Sequence, residues 1–149
     1  MLMDKQNEFS AAQAVTASAI STNVIDLTLG QSGLTTIDIA NGEPIFLYIQ
    51  VDTAVTQTGS GTVTFSLESD STANLATSAT VHWTSSAIAK ATLVAGYEVA
   101  RLAIPLGAYE RYLGVRYTVS ETLLTGAFTA ALVKDLQAAK TLYNDASSI

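Results

Sequence analysis

Hydrophobic and polar residues alternate along most of the chain from residue 23 onward, as in half-buried β-strands. The clearest run is Thr62 to Glu68, where Val63, Phe65 and Leu67 share one face and polar side chains share the other. Eight strands are predicted, within residues 24–29, 45–52, 62–68, 80–84, 87–94, 98–104, 111–119 and 126–134. Many short strands separated by turn-forming residues are typical of an all-β, two-sheet β-sandwich or a barrel, and eight strands in two sheets form a jelly roll.

The two ends of the chain lack this alternation. Residues 1–22 are rich in alanine, serine and glutamine, and Phe9 is their only large aromatic residue. They are predicted to form an irregular N-terminal arm, either extended or with a short helix from Ala11 to Ala19. The sandwich domain is predicted over residues 23–134, and residues 135–149 form a C-terminal tail with one or two helical turns.

Length and charge limit the classes of function. A chain of 149 residues favours one domain, and the absence of cysteine excludes disulfides and thiolate sites. The net charge is −6 and the basic residues are scattered, so no nucleic-acid partner is expected. No apolar run approaches the length of a membrane helix, and the polar start does not resemble a signal peptide. We therefore expect no membrane partner and a protein made in a reducing cytoplasm.

Residues with catalytic potential are few. His82 is the only histidine, and no Gly-x-Ser-x-Gly elbow supplies a nucleophile, so His82 is expected to face solvent or an interface. Glu68 and Asp70 are the nearest acidic pair, but a turn explains them better than a metal site. Gly59-Ser-Gly61 lacks the lysine of a phosphate loop and predicts a hairpin turn. We expect no enzyme, no cofactor and no metal.

Aromatic and basic residues on strand faces that should be polar suggest a contact surface. Phe46 and Tyr48 lie on one such face, and Tyr112 and Arg116 lie on another. Tyrosine and arginine are enriched at buried protein interfaces, but terminal segments of the same chain could also cover these strands. A third interpretation is a sugar site in which Trp83 and the tyrosines serve as stacking platforms.

Six segments together, in this order and spacing, carry a resemblance that none of them carries alone. They are Ser21-Thr-Asn-Val-Ile-Asp-Leu27, Leu47-Tyr-Ile-Gln-Val-Asp-Thr-Ala54, Gly61-Thr-Val-Thr-Phe-Ser-Leu-Glu68, Ala91-Thr-Leu-Val-Ala-Gly-Tyr97, Arg111-Tyr-Leu-Gly-Val-Arg-Tyr-Thr-Val119 and Gly126-Ala-Phe-Thr-Ala-Ala-Leu-Val133. From about residue 8 to 134 the chain resembles the capsid cement (decoration) proteins of short-tailed bacteriophages, of the type described from a Bordetella phage.

The resemblance implies a non-enzymatic jelly roll on the outer surface of an HK97-type capsid. Such a virion protein is assembled in the host bacterial cytoplasm, and its partners are the major capsid protein and a second copy of itself at local two-fold positions. The expected capsid or dimer contacts are Phe9, Phe46, Tyr48, Tyr112 and Arg116. Deletion of residues 1–20 is then expected to abolish capsid binding without unfolding the domain.

Two alternatives remain open at this point. One is a glycan-binding jelly-roll module on a virion or a secreted protein, and the other is a different structural part of a virion. Both share the predicted fold, so the fold alone does not separate them.

Overall fold

In the computed structural model, the described residues (4–28, 39, 42–76 and 78–134) form ten antiparallel β-strands and no α-helix. In chain order these strands are β1 (Glu8–Ala14), β2 (Ala19–Ile20), β3 (Ile25–Asp26), β4 (Phe46–Thr56), β5 (Thr62–Asp70), β6 (Thr80–Thr84), β7 (Ile88–Ala89), β8 (Glu98–Ala103), β9 (Tyr112–Val119) and β10 (Thr125–Val133). A 3₁₀ turn at Lys5–Asn7 precedes them. Within these residues, no helix is long and apolar enough to cross a bilayer.

The strands form two sheets packed face to face. The first sheet has the order β1-β10-β4-β8. In the second sheet, β9 pairs with β5, the short strands β2 and β3 both pair with the outer side of β9, and β6 and β7 both pair with the outer side of β5. Counting each interrupted pair as one strand gives eight strands, four in each sheet. This order, in which the chain repeatedly crosses from one sheet to the other, is that of a jelly roll.

The observed strands confirm the predicted all-β sandwich, but two of the predicted strands are shorter than expected. Residues 87–94 were expected to form one strand, but only Ile88–Ala89 pairs, and the chain then turns through residues 90–97. Between residues 24 and 28, only Ile25–Asp26 is a strand. The predicted tail, residues 135–149, lies outside the described residues.

The core fills the space between the sheets with the residues that alternation placed inward. Leu47, Ile49 and Val51 of β4 are fully buried, as are the inward residues of β5 and, except for the partly buried Val119, those of β9. Three aromatic rings meet at its centre. Phe65 meets the Tyr117 and Phe128 rings edge-on at centroid distances of 5.8 and 5.0 Å, and Tyr117 stacks on Phe128 at 5.4 Å.

A buried hydrogen bond joins the two sheets beside this aromatic cluster. The Tyr117 hydroxyl, on the second sheet, lies 2.6 Å from the hydroxyl of Ser10, on the first sheet. The Ser10 hydroxyl donates to the Phe128 carbonyl at 3.2 Å, so the tyrosine is the donor in the bond between the two hydroxyls. Both residues are completely buried, and burial raises the pKa of Tyr117 to about 12. The phenol therefore stays protonated, and its polar atom is satisfied inside the core.

The N-terminal segment is part of the sandwich and contains no α-helix among its described residues, in contrast to the expected irregular arm. The strand β1 pairs with β10, with register shifts between Glu8 and Ser10 and between Ser10 and Gln13. At the first shift, the consecutive residues Phe9 and Ser10 are both fully buried. Such a bulge places an extra residue in one strand and disrupts regular alternation.

This placement corrects the expectation that residues 1–20 are dispensable for folding. Phe9 packs in the main core, and Val15, just after β1, is also buried there. Deleting the segment removes these side chains and exposes the edge of β10. Since loss of one large core side chain typically costs several kcal/mol, the deletion is expected to unfold the domain.

The hydrogen bond between Ser10 and Tyr117 predicts a specific pattern of mutational costs. Ser10→Ala leaves the buried Tyr117 hydroxyl without its acceptor and is expected to cost about 1–3 kcal/mol. Tyr117→Phe leaves Ser10 bonded to Phe128 and should cost about 1 kcal/mol. The double variant should cost less than the sum of the two. Urea unfolding followed through Trp83, the only tryptophan, measures all three free energies; strictly additive costs would contradict the bond.

Candidate interaction surfaces

The outer face of the first sheet carries a small apolar cluster, which we call the Tyr48 cluster. Its members are Phe46, Tyr48, Ala131 and Val133, from the adjacent strands β4 and β10. The cluster is separate from the main core, and the Tyr48 side chain is only 6% exposed. Its hydroxyl donates to Gln50 at 2.6 Å, and burial raises the pKa of Tyr48. Phe46 is the more accessible of the two predicted contact residues here.

The outer face of the second sheet is covered near Arg116 by the loop between β5 and β6. The Arg116 guanidinium donates to Glu68 at 2.8 Å and to the Leu75 carbonyl at 2.5 Å. Glu68 is almost fully buried and also accepts from the Ser66 hydroxyl at 2.6 Å. The arginine therefore neutralises a buried carboxylate and holds the loop backbone, which is a structural role within the chain.

The same loop places Leu75 over the backbone of Gly114. Leu75 is 1% exposed, and its φ of +51° lies in the left-handed region, which is uncommon for a leucine. A Cβ at position 114 would lie 2.7 Å from a Leu75 methyl group. Asn74 supports this backbone by accepting from the Ala76 amide at 3.1 Å. Glycine at 114 thus makes room for the loop that covers this face.

Tyr112 lies at one end of the second sheet, beside an ion pair. Arg111 donates to both oxygens of Asp26, with the shortest distance at 2.8 Å, and its guanidinium lies 4.9 Å from the centre of the Tyr112 ring. The hydrogen bonds from Arg111 hold the pKa of Asp26 well below its usual value. This pair joins β3 to the start of β9, and Tyr112 stays partly exposed.

The five predicted contact residues do not form one surface. Phe9 has no exposed area and lies in the core. Phe46 and Tyr48 belong to the outer face of the first sheet, whereas Tyr112 and Arg116 belong to the second, and these faces point in opposite directions. In the case of Arg116, an internal loop of the same chain covers the face.

His82 faces inward, in contrast to the expectation that it faces solvent or an interface. A register shift between Leu67 and Glu68 of β5 leaves His82 as an extra residue in β6. Its ring stacks on the buried Tyr109 ring at 3.8 Å, and its Nε2 lies 2.7 Å from the Ser69 hydroxyl. Ser69 is fully buried and also accepts from the Glu110 amide, so this serine is part of the packing and is not presented to a substrate.

The described residues also lack the arrangements expected of a metal site or a sugar site. They contain no group of three or more histidine, cysteine, aspartate or glutamate side chains arranged to hold a metal ion. Trp83 packs against the core, and Tyr109 and Tyr117 are buried, so these rings are not the open stacking platforms of a sugar site. No specific arrangement of these residues favours glycan binding.

A surface that the sequence did not single out lies at the end of the sandwich where β4 finishes. A shallow groove of about 340 Å³, which we call the Lys90 groove, is lined by Ala54, Val55, Thr56, Gln57, Lys90, Ala91 and Val94. Val94 is 53% exposed, and Leu124, whose amide donates to the Thr56 carbonyl at 2.9 Å, is 63% exposed. The sequence signal for this surface was the presence of apolar residues, Val94 and Leu124, in two turn regions. The alternating pattern, however, had assigned Val94 to a strand.

The chain matches a known protein-family model. A family model named Bbp16 matches residues 9–132, which span the sandwich from β1 almost to the end of β10. The chain belongs to the Bbp16 family. The family name is consistent with the phage-related type of protein that the motifs resemble. No curated protein sequence matches the chain.

Arg116 offers a test of its structural role. Arg116→Ala leaves the buried Glu68 without its cation and is expected to lower the free energy of unfolding by about 2 kcal/mol. Adding Glu68→Gln should restore part of this loss, because the buried carboxylate charge is removed. Thr118→Ala, at an exposed position of the same strand, serves as control and should stay within about 0.5 kcal/mol of the parent. Unchanged stability of the Arg116 variant would contradict this role.

His82 predicts a pH dependence of stability. Burial lowers the pKa of His82 below its ordinary 6.5, although nearby Glu110 acts in the opposite direction. As the pH falls, the unfolded chain therefore binds this proton before the folded chain does. The contribution of His82 to the free energy of unfolding is fully present above pH 6.5 and is lost as the pH drops toward the folded pKa. Thermal unfolding between pH 7.5 and 5 should show this decline.

His82→Gln is the matched variant for that measurement, since the amide keeps an acceptor for Ser69. Its unfolding temperature should be nearly constant over the same pH range, because the carboxylates titrate mainly below this window. A decline as steep as that of the parent would assign the effect to other groups.

Proposed function

We propose that this chain is a structural virion protein that binds the outer surface of an HK97-type phage capsid and cements neighbouring capsid subunits. The observation that carries the proposal is the family match across nearly the whole sandwich. It agrees with the resemblance of the six ordered motifs to capsid cement proteins. The proposed partners are the major capsid protein and a second copy of this chain; nucleic acid, membranes and cofactors have no part in it.

The surface chemistry supports binding to a protein lattice. Only 13% of the residues are charged. Of the six lysine and arginine side chains that the structure describes, five already form ion pairs within the chain. Weakly charged surfaces lose less hydration free energy when they are buried against protein. The acidic net charge also repels packaged or free nucleic acid.

The proposed mechanism is stabilisation by mass action. A protein that binds the expanded shell, and not the separated subunits, lowers the free energy of the assembled state with each copy bound. Many copies with modest individual interfaces therefore add up to a large resistance to pressure from the packaged genome. This role needs a rigid fold, and the sandwich with its internally bonded core provides it.

The test is co-sedimentation of the purified chain with mature, expanded phage heads stripped of their own surface proteins. We expect saturable binding at a fixed ratio to the capsid protein and a higher unfolding temperature of the decorated heads. Heads that have not expanded serve as control. Absence of binding by a chain that is folded by circular dichroism would overturn the proposal, and a glycan screen would follow.

A further inference from the structure

The Lys90 groove combines a fixed cation with exposed apolar groups. Lys90 is the one cation in the described part of the chain that forms no ion pair with a described acid. Its ammonium donates to the Gln57 carbonyl at 2.6 Å, which holds the charge at the groove wall. An ammonium has three donors, so this contact leaves it able to bind an acceptor from outside.

Gln57, whose carbonyl accepts from Lys90, lies in a turn after β4 that two further hydrogen bonds hold in place. The Gln57 side chain donates to Glu121 at 2.6 Å and accepts from the Gly61 amide at 2.6 Å. The wall beside Lys90 therefore joins two loops, one after β4 and one after β9. A cation held in this way loses little conformational entropy when a partner binds.

Exposed apolar side chains lie on both sides of the end of β4, which forms part of the groove lining. The Val55 amide donates to the Leu93 carbonyl on one side of β4, and Leu124 pairs with Thr56 on the other side. Val94 and Leu124 thus flank the same strand end, and they are two of the four exposed large apolar side chains among the described residues. Clustered exposed apolar groups next to a charge are typical of interaction sites.

We propose that the Lys90 groove binds a segment of the shell protein that presents an apolar side chain next to a carboxylate. This inference rests on the proposed function and names the surface that performs it. The carboxylate meets the Lys90 ammonium, and the apolar side chain packs against Val94 in the groove lining. Leu124, beyond the other side of β4, extends the apolar contact surface. A single cation on a chain of net charge −6 does not suit a polyanion, and the groove lining contains no aromatic ring for a sugar.

The opposite end of the sandwich provides matched controls. Val81 is 53% exposed, the same as Val94, and it pairs with Glu68 near the far end of β5. Leu106 is 75% exposed and follows β8, whose last residue pairs with the first residue of β4. Serine substitutions at these two positions remove a similar apolar area away from the groove.

The experiment measures the affinity of full-length variants for stripped, expanded heads. Val94→Ser, Leu124→Ser and Lys90→Glu should each weaken binding about tenfold or more, whereas Lys90→Arg should bind like the parent. Val81→Ser and Leu106→Ser should stay within about threefold of it. Rising salt should weaken the parent more than the Lys90→Glu variant, because only the parent uses the ion pair.

The outcomes separate this inference from the proposed function. If the parent binds and the groove variants bind equally well, the groove is not the contact surface, while the cement role stands. If the parent does not bind, both fail. If Val94→Ser removes self-association in sedimentation velocity but leaves head binding intact, the occupant is a second copy and the proposal is overturned. Circular dichroism of each variant confirms that it is folded.

Discussion

The hydrogen bond between Tyr117 and Ser10 is the constraint on which the sandwich depends. It lies among the three packed aromatic rings, where a buried polar group of one sheet is satisfied by the other. Because a buried hydroxyl without a partner costs more than a bonded one gains, this pair favours the position of β1 over the core. The strand β1 in turn brings Phe9 inward and covers the edge of β10. The N-terminal segment is thus part of the folding unit.

Alternation of hydrophobic residues was sufficient to predict the all-β sandwich, because β4, β5, β9 and β10 each carry a hydrophobic residue at every second position over most of their length. It failed where a bulge shifts the register. Phe9 and Ser10 are neighbours that are both buried, and His82 is an extra residue in β6. A bulge is defined by the partner strand, so one strand's sequence does not reveal it. The sequence of β1 therefore reads as an irregular arm although it is a paired strand.

The candidate surface could be predicted only in part, for a related reason. Alternation correctly put Tyr48 and Arg116 outside the main core, but it does not show which outer faces the chain covers itself. Leu75 reaches across the second sheet to Gly114, and no local pattern indicates that contact. Val94 and Leu124 lie thirty positions apart in the sequence, and only the fold brings them to the two sides of the end of β4. Such proximity is a property of the topology.

The irregular edges of the two sheets limit how far copies of this chain can extend one another. Among the described residues, β1 is bulged twice, the β2–β3 edge is interrupted, and the β6–β7 edge is interrupted and shifted. Only β8 pairs over most of its length in regular register, with a shift at its first residue. A body with a single continuous edge can accept one neighbour by strand addition and then has none left to offer. Growth of this kind is self-terminating, so the described edges limit strand addition between copies to pairs.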